Sequence, residues 1–362
     1  MLLKTLQVHH FRNLMETELQ WCSGFNVIWG NNAQGKTNLL EAIYLLGHLK
    51  SFRNARGGDF IEHTADNAYV GGQVEKGRVT HRIELALGKK GRTPSLNGKP
   101  VKKLSEFLGY LRPILFTPEE MGLIKGYPVG RRALLDRAIV QQDPGYLDRF
   151  QEFTRILKQR NNLLKKEAAV QELEPWTQKQ KKKGSRIQRD RLQFLQEFMP
   201  HLQQAYQQFA EDDEQPEIRY PVSLQEQRSM ADQLYEKLAR LAAREKQLRQ
   251  TLAGPHRDDP VFMVAGKDLK VFGSQGQQRS FLLAFKAAQV TSLEEQLGEP
   301  PVLLLDDLSS ELDQQRERGF FNFLLTRRGQ VFLTTTRPQI LGDRQPSDVR
   351  SFEVSQGSIK TE

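Results

Sequence analysis

The sequence predicts an α/β fold whose sheet is covered on both faces and whose chain is interrupted by a long helical insertion. Three observations predict it. Phe25–Trp29 reads as an apolar strand, is broken by the glycine-containing residues 30–37, and is followed by Leu39, Leu40, Ile43 and Leu46, whose spacing is one face of a helix. Val302-Leu303-Leu304-Leu305 and Val331-Phe332-Leu333 are uninterrupted apolar runs, as strands buried on both faces require. From about Pro118 to Leu252 the chain turns polar and helical, rich in Gln, Lys, Arg and Glu, with apolar pairs such as Leu163-Leu164 and the set Leu234, Leu238 and Leu241.

The elements follow in order. Residues 2–10 form a first short apolar strand. From Tyr69 to Pro100 apolar and polar residues alternate through Val79, His81, Ile83, Leu85 and Leu87, with turns expected at Gly71-Gly72, Gly88 and Asn97-Gly98, an antiparallel meander. Strand character returns after Gly254. Residues 1–118 and 252–362 are therefore expected to build one discontinuous α/β domain and residues 119–251 a helical lobe. There is no internal repeat.

With 362 residues, the chain has room for two domains or for one domain with an insertion. Its one cysteine, Cys22, excludes an internal disulfide, and one Cys with seven scattered His argues against structural zinc. The first residues lack the apolar core of a secretory leader, and no uncharged apolar run approaches the ~20 residues of a membrane span, so a soluble cytoplasmic protein is expected. The 53 basic against 44 acidic residues leave a net charge of +9, which suits polyanionic partners. Twelve basic and six acidic residues lie between Gln151 and Pro200, centred on Lys179, Lys181, Lys182, Lys183, Arg186, Arg189 and Arg191. That run is either a solvated helix face or a surface for nucleic-acid phosphates.

Gly30-Asn31-Asn32-Ala33-Gln34-Gly35-Lys36-Thr37 matches G-x-x-x-x-G-K-[ST] without a mismatch, after a strand and at the start of a helix. The glycines let successive N–H groups curl toward phosphates, and the helix N-terminus adds positive potential. Lys36 would neutralise the β- and γ-phosphates of ATP, and the Thr37 hydroxyl would ligate Mg²⁺. The second apolar strand ends in Asp306-Asp307; Asp306 would hold the metal and Asp307 polarise the attacking water. Ser274-Gln275-Gly276-Gln277 precedes an apolar helix about thirty residues upstream. It is either a helix-capping loop or a second anion site, and its place matches the signature segment of ABC-type ATPases. Ser309-Ser310-Glu311-Leu312-Asp313 and Thr334-Thr335-Thr336 follow.

On these motifs the chain resembles the RecF family of recombination-repair ATPases, related to the SMC proteins, over essentially its whole length. Further carriers are Phe11-Arg12-Asn13, Asn38-Leu39-Leu40-Glu41-Ala42-Ile43, Ser51-Phe52-Arg53, Phe116-Thr117-Pro118-Glu119, Arg131-Arg132 with Leu135-Asp136, and Gly254-Pro255-His256-Arg257-Asp258-Asp259. The resemblance implies a P-loop ABC-type ATPase head with an inserted helical lobe and an ATP-dependent homodimer, in which Ser274, Gly276 and Gln277 complete the partner's site. It also implies binding to single- and double-stranded DNA at gaps and junctions, and RecA loading with RecO and RecR during DNA repair, replication and the SOS response. Asp307 stands where the wider class has Glu, and the Thr334-Thr335-Thr336 run replaces a switch histidine, with Thr335 or Thr336 as candidate γ-phosphate sensors. Both departures imply a weak ATPase used as a switch. His256 and Arg257 fit either phosphate contact or a structural turn. The alternatives are an ABC-type transporter subunit and a nucleotide-gated scaffold with vestigial hydrolysis.

Overall fold

The computed structural model describes every residue except 54, 56, 90, 211–213, 223–228, 308–311, 338, 342–345, 347 and 362. The chain forms two compact units, Met1–Met121 with Ala205–Glu211 and Ser280–Glu362, and Gly122–Gln204 with Asp212–Arg279.

The first unit holds two six-stranded sheets. One consists of β1 (Leu2–His9), β2 (Thr17–Gln20), β4 (Asn67–Lys76), β5 (Val79–Gly88), β6 (Gly91–Leu96) and β7 (Lys99–Pro100), in the order β2-β1-β4-β5-β6-β7 and antiparallel throughout. Two of its hairpins turn where the meander was expected to turn, just after Gly88 and at Asn97-Gly98, but the β4–β5 hairpin turns at Gly77-Arg78 and not at Gly71-Gly72. Gly71 and Gly72 lie inside β4, paired with Gln7 and Leu6. A Cβ on Gly72 would stand 2.4 Å from the Thr5 carbonyl oxygen, so this glycine permits close backbone approach and makes no turn.

The other sheet runs β15-β14-β3-β13-β12-β8, from β3 (Phe25–Trp29), β8 (Pro113–Phe116), β12 (Val302–Asp306), β13 (Val331–Thr335), β14 (Val349–Ser355) and β15 (Ser358–Thr361). All are parallel except the edge strand β15, which returns antiparallel on β14. Every residue of β8, β12 and β13 is buried, as the continuous apolar runs require. Parallel pairing gathers the carboxyl ends of the strands at one edge. Thr335 lies beside Trp29, and Asp306 beside Thr334. Ligands of open α/β sheets bind at such an edge.

The second unit contains the helices Pro128–Gln142, Gly145–Lys165 and Met230–Leu248 and most of Val170–Tyr206. It also contains a three-stranded sheet, in which β10 (Val261–Val264) lies between β9 (Pro216–Arg219) and β11 (Lys267–Asp268). The boundary expected at 251/252 is not where the units part, because residues 252–279 belong to this unit. The cause is β9–β10 pairing together with buried polar contacts. Arg191, only 1% exposed, forks onto Asp136 and donates to the Pro255 carbonyl, while Gln188 donates to Asp258.

Candidate nucleotide-binding site

The P-loop leaves β3 and opens the helix Lys36–His48. Gly30 has φ +148°, and a Cβ there would lie 2.3 Å from the Val354 carbonyl oxygen of β14, so only glycine fits. Ala33 and Gly35 also have positive φ, which curls the loop. Its crest is pinned from two sides. The Gln34 carbonyl accepts from the Gly357 N–H at 3.0 Å and the Asn13 amide at 3.3 Å, and its side chain accepts from the Gln356 N–H at 2.6 Å. The buried Lys36 ammonium donates to the carbonyls of Gly30 (2.7 Å) and Asn31 (2.9 Å). Burial lowers its pKa, and the nearby charges of Asp307 and Asp306 work against that.

At the end of β12 the Asp306 carboxylate accepts from the Thr37 hydroxyl at 3.1 Å and from the Thr334 hydroxyl at 2.7 Å. The Thr334 oxygen in turn accepts from the Asp307 N–H at 3.1 Å. Burial pushes the Asp306 pKa up, opposed by these two hydroxyls and by the charge of Arg53. Asp307 sits in the left-handed region with φ +44°, a conformation that costs a non-glycine residue about 1 kcal/mol or more. Of the other two threonines, Thr335 is buried and accepts from the Arg337 N–H, while Thr336 is exposed. Thr334, which sequence reasoning gave no role, is the one that touches both carboxylate residues.

Sequence reasoning also missed a polar chain beside the loop. Arg12 forks onto Glu41 at 2.9 and 3.0 Å, and Ser51 donates to the same carboxylate. The Ser51 oxygen accepts from the Arg53 N–H. Arg53 donates to Asn38 at 2.9 Å, and Asn38 to Asn13 at 2.6 Å. The available signal was the pair of motifs Phe11-Arg12-Asn13 and Ser51-Phe52-Arg53, which carried a resemblance but no assigned chemistry.

Ser274 caps the helix Gln275–Leu297. Its oxygen accepts from the Gln277 N–H at 3.1 Å, and its own N–H donates to the Gln277 side chain at 2.9 Å, a reciprocal capping box. Ser274 and Gln275 are exposed, and Gly276 and Gln277 half-buried. Ser309, Ser310 and Glu311 lie outside the described residues; Asp313 caps the helix Gln314–Leu325. His256 Nε2 and Arg257 Nε both meet the Thr251 carbonyl, and Arg257 also donates to Gln250 at 2.8 Å, so both tie down the turn.

Among the described residues no cluster of three or more His, Cys, Asp or Glu could hold a metal. No helix there is long and apolar enough to cross a membrane.

Residues 2–358 match the model of the RecF/RecN/SMC N-terminal domain family. The DNA replication and repair protein RecF of Syntrophotalea carbinolica is 41% identical over 359 residues, which cover 99% of each chain. The chain belongs to the RecF family. RecF of Geobacter sulfurreducens is likewise 41% identical, over 361 residues and 99% of each chain. A solved structure of the recombination mediator RecF with ATP, in the RecFOR pathway, superposes with a TM-score of 0.90 at 32% identity, covering 100% of this chain and 99% of that one. The Smc head domain of Pyrococcus furiosus, at 17% identity and TM-score 0.56, shares the fold alone. Membership places this chain among the DNA replication and repair proteins, on an ABC-type ATPase fold related to SMC heads.

Proposed function

We propose that this RecF-family chain is an ATP-gated DNA clamp. It binds ATP with Mg²⁺ on the P-loop, dimerises in the ATP-bound state, holds DNA at gaps and junctions, and acts with RecO and RecR to promote RecA loading. The observation that carries the reading is the 3.1 Å contact between the Thr37 hydroxyl and the Asp306 carboxylate. Two hard oxygen donors from distant parts of the chain meet beside the P-loop lysine. Mg²⁺ takes such a set, one or two protein oxygens with the rest supplied by phosphates and water. When bound, the ion neutralises charge on the β- and γ-phosphates.

The chain's own residues do the rest. The curled N–H groups of residues 30–37 cradle the phosphates, and Lys36 leaves its two carbonyl partners for phosphate oxygens. Asp306 holds the metal in register with Thr37. Asp307, its N–H fixed on Thr334, presents its carboxylate toward an attacking water. Its side chain is one methylene shorter than Glu, so hydrolysis is slow and serves as a release timer. Ser274, Gly276 and Gln277 bind the γ-phosphate held by a second copy. The solved RecF relative with ATP and the RecFOR pathway named with it support this assignment.

Equilibrium binding and turnover test it. Lys36→Met should weaken ATP binding at least tenfold. Asp306→Ala and Asp307→Asn should each keep binding, abolish turnover and prolong the ATP-dependent dimer seen by sedimentation. Equal ATP affinity for Lys36→Met and wild type would overturn the nucleotide site. Wild-type turnover equal to that of Asp306→Ala would reduce the protein to a scaffold.

A further inference from the structure

Seven basic residues between 179 and 191 lie on the helix Val170–Tyr206, and the fold divides them into two sets. Lys181 pairs with Asp232 at 2.7 Å, Lys183 with Glu152 at 2.7 Å, and Arg191 is buried on Asp136. Lys179, Lys182, Arg186 and Arg189 are exposed and make no ion pair among the described residues. Lys179 is held over the Trp176 ring at 4.5 Å.

The second set is a row. Its spacings of three, four and three residues place the four cations within an arc of about 80° and along about 15 Å of helix. Beyond Arg189 the same line continues with the exposed Gln193 and Glu197, hydrogen-bonded to each other at 3.0 Å, where the run of cations ends. Asp190, at the margin of the arc, is taken up by Arg149 at 2.8 Å. The positive charge of this helix is thus cancelled on its flanks and left uncompensated along one line.

We propose that Lys179, Lys182, Arg186 and Arg189 form a contact site for the phosphate backbone of duplex DNA. The inference rests on the DNA-binding reading above and names the face that does the binding. Duplex DNA carries one negative charge per about 1.7 Å of its axis, so a straight 15 Å row of cations meets phosphates in any sequence register. An anionic membrane surface fits less well. A helix lying on lipid needs an apolar face turned the same way, whereas Leu173, Ile187, Phe194 and Phe198 of this helix are buried within the protein.

The test is the salt dependence of duplex binding by the full-length protein. Wild type, the quadruple variant K179Q/K182Q/R186Q/R189Q and the control K181Q/K183Q are titrated on two unrelated duplexes between 50 and 200 mM salt. Four lost phosphate contacts should flatten the slope of log K against log salt by about 3–4, equally for both duplexes. The control removes two charges from the same segment and should leave the slope unchanged. Each single Gln variant of the row should flatten it by about 0.9, which keeps the result readable if the quadruple variant folds poorly. A wild-type slope retained by the singles and the quadruple overturns the site and leaves the row to an acidic protein partner. A loss confined to one duplex overturns it in favour of base reading. If wild type binds neither duplex at any salt, the DNA-clamp reading itself fails.

Discussion

The guanidinium of Arg12, in the turn after β1, forks onto Glu41, a fully buried carboxylate on the helix that the P-loop opens. Ser51 donates to the same carboxylate, so one acidic group ties three separate segments around the nucleotide loop. Removing one partner of a buried pair leaves the other charged and unmatched. Glu41→Ala should therefore destabilise the fold by about 3 kcal/mol in denaturant unfolding. It should also weaken ATP binding, because Asn13 beside Arg12 no longer holds the Gln34 carbonyl. The double variant Arg12→Ala/Glu41→Ala should lose clearly less than the sum of the singles, since it leaves no orphaned charge. Strict additivity would show that the pair does not act as a unit.

Asp306 links the site to stability with a definite sign. Burial raises its folded pKa above the ordinary carboxylate value, so ionised Asp306 opposes folding at neutral pH in the metal-free protein. Its stabilising contribution is complete only below the unfolded pKa and is lost as pH rises through the folded one. Asp306→Asn should then raise the melting temperature at pH 7 without Mg²⁺ or ATP, while abolishing turnover. The gain should shrink as pH falls through the raised pKa toward the ordinary range. Thr334→Val removes a hydrogen bond to the charged form and should move the pH at which the metal-free protein loses this contribution upward in unfolding measurements; Thr334→Ser should restore it. An unmoved transition in Thr334→Val would sever that link.

His256 has the opposite sign. Its Nε2 meets the Thr251 carbonyl, and its Nδ1 is buried without a partner among the described residues, so a second proton would sit on a nitrogen that no described acceptor faces. Burial is the largest cause that lowers its pKa, from 6.5 to about 4, and the charges of Arg257, Arg132 and Arg160 act the same way. A depressed folded pKa supplies stability that is present above about 6.5 and lost as pH falls toward 4. Unfolding measured across that window should show a loss that His256→Gln reduces. A retained acid limb in that variant would place the sensitivity elsewhere.

What could be read from the sequence was whatever is contiguous. The P-loop and the Asp306-Asp307 strand end are local patterns whose chemistry fixes residue type and spacing, and the structure sets both at one sheet edge. Relations between segments were hidden. Thr334 rather than Thr335 or Thr336 reaches Asp306 because of the β12–β13 register, which no run of residues displays. Arg12 and Glu41 are 29 residues apart and meet only when β1 and the P-loop helix are placed. Gly71-Gly72 looked like punctuation, whereas Gly72 clears space inside a strand. The basic run looked uniform until Asp232, Glu152 and Asp136 claimed three of its members.

Ser274 carries two candidate roles, and one substitution separates them. As a cap it accepts from the Gln277 N–H, so Ser274→Ala should cost the second unit about 1 kcal/mol of stability. As a donor to a partner's γ-phosphate it must present a hydroxyl, not a charge. Asp caps a helix as well as Ser does, so Ser274→Asp keeps the capping interaction and the favourable helix dipole. It also sets a carboxylate against the partner's phosphates. Ser274→Asp should therefore melt like wild type, bind ATP as a monomer with wild-type affinity, and fail to dimerise with ATP. Mixed with Lys36→Met, it forms a heterodimer with one interface carrying both defects and one carrying neither. Sedimentation with ATP should then show partial recovery of the dimer. If Ser274→Asp dimerises normally, Ser274 is a cap and nothing more; if the mixture shows no recovery, the two residues do not share a site across the dimer.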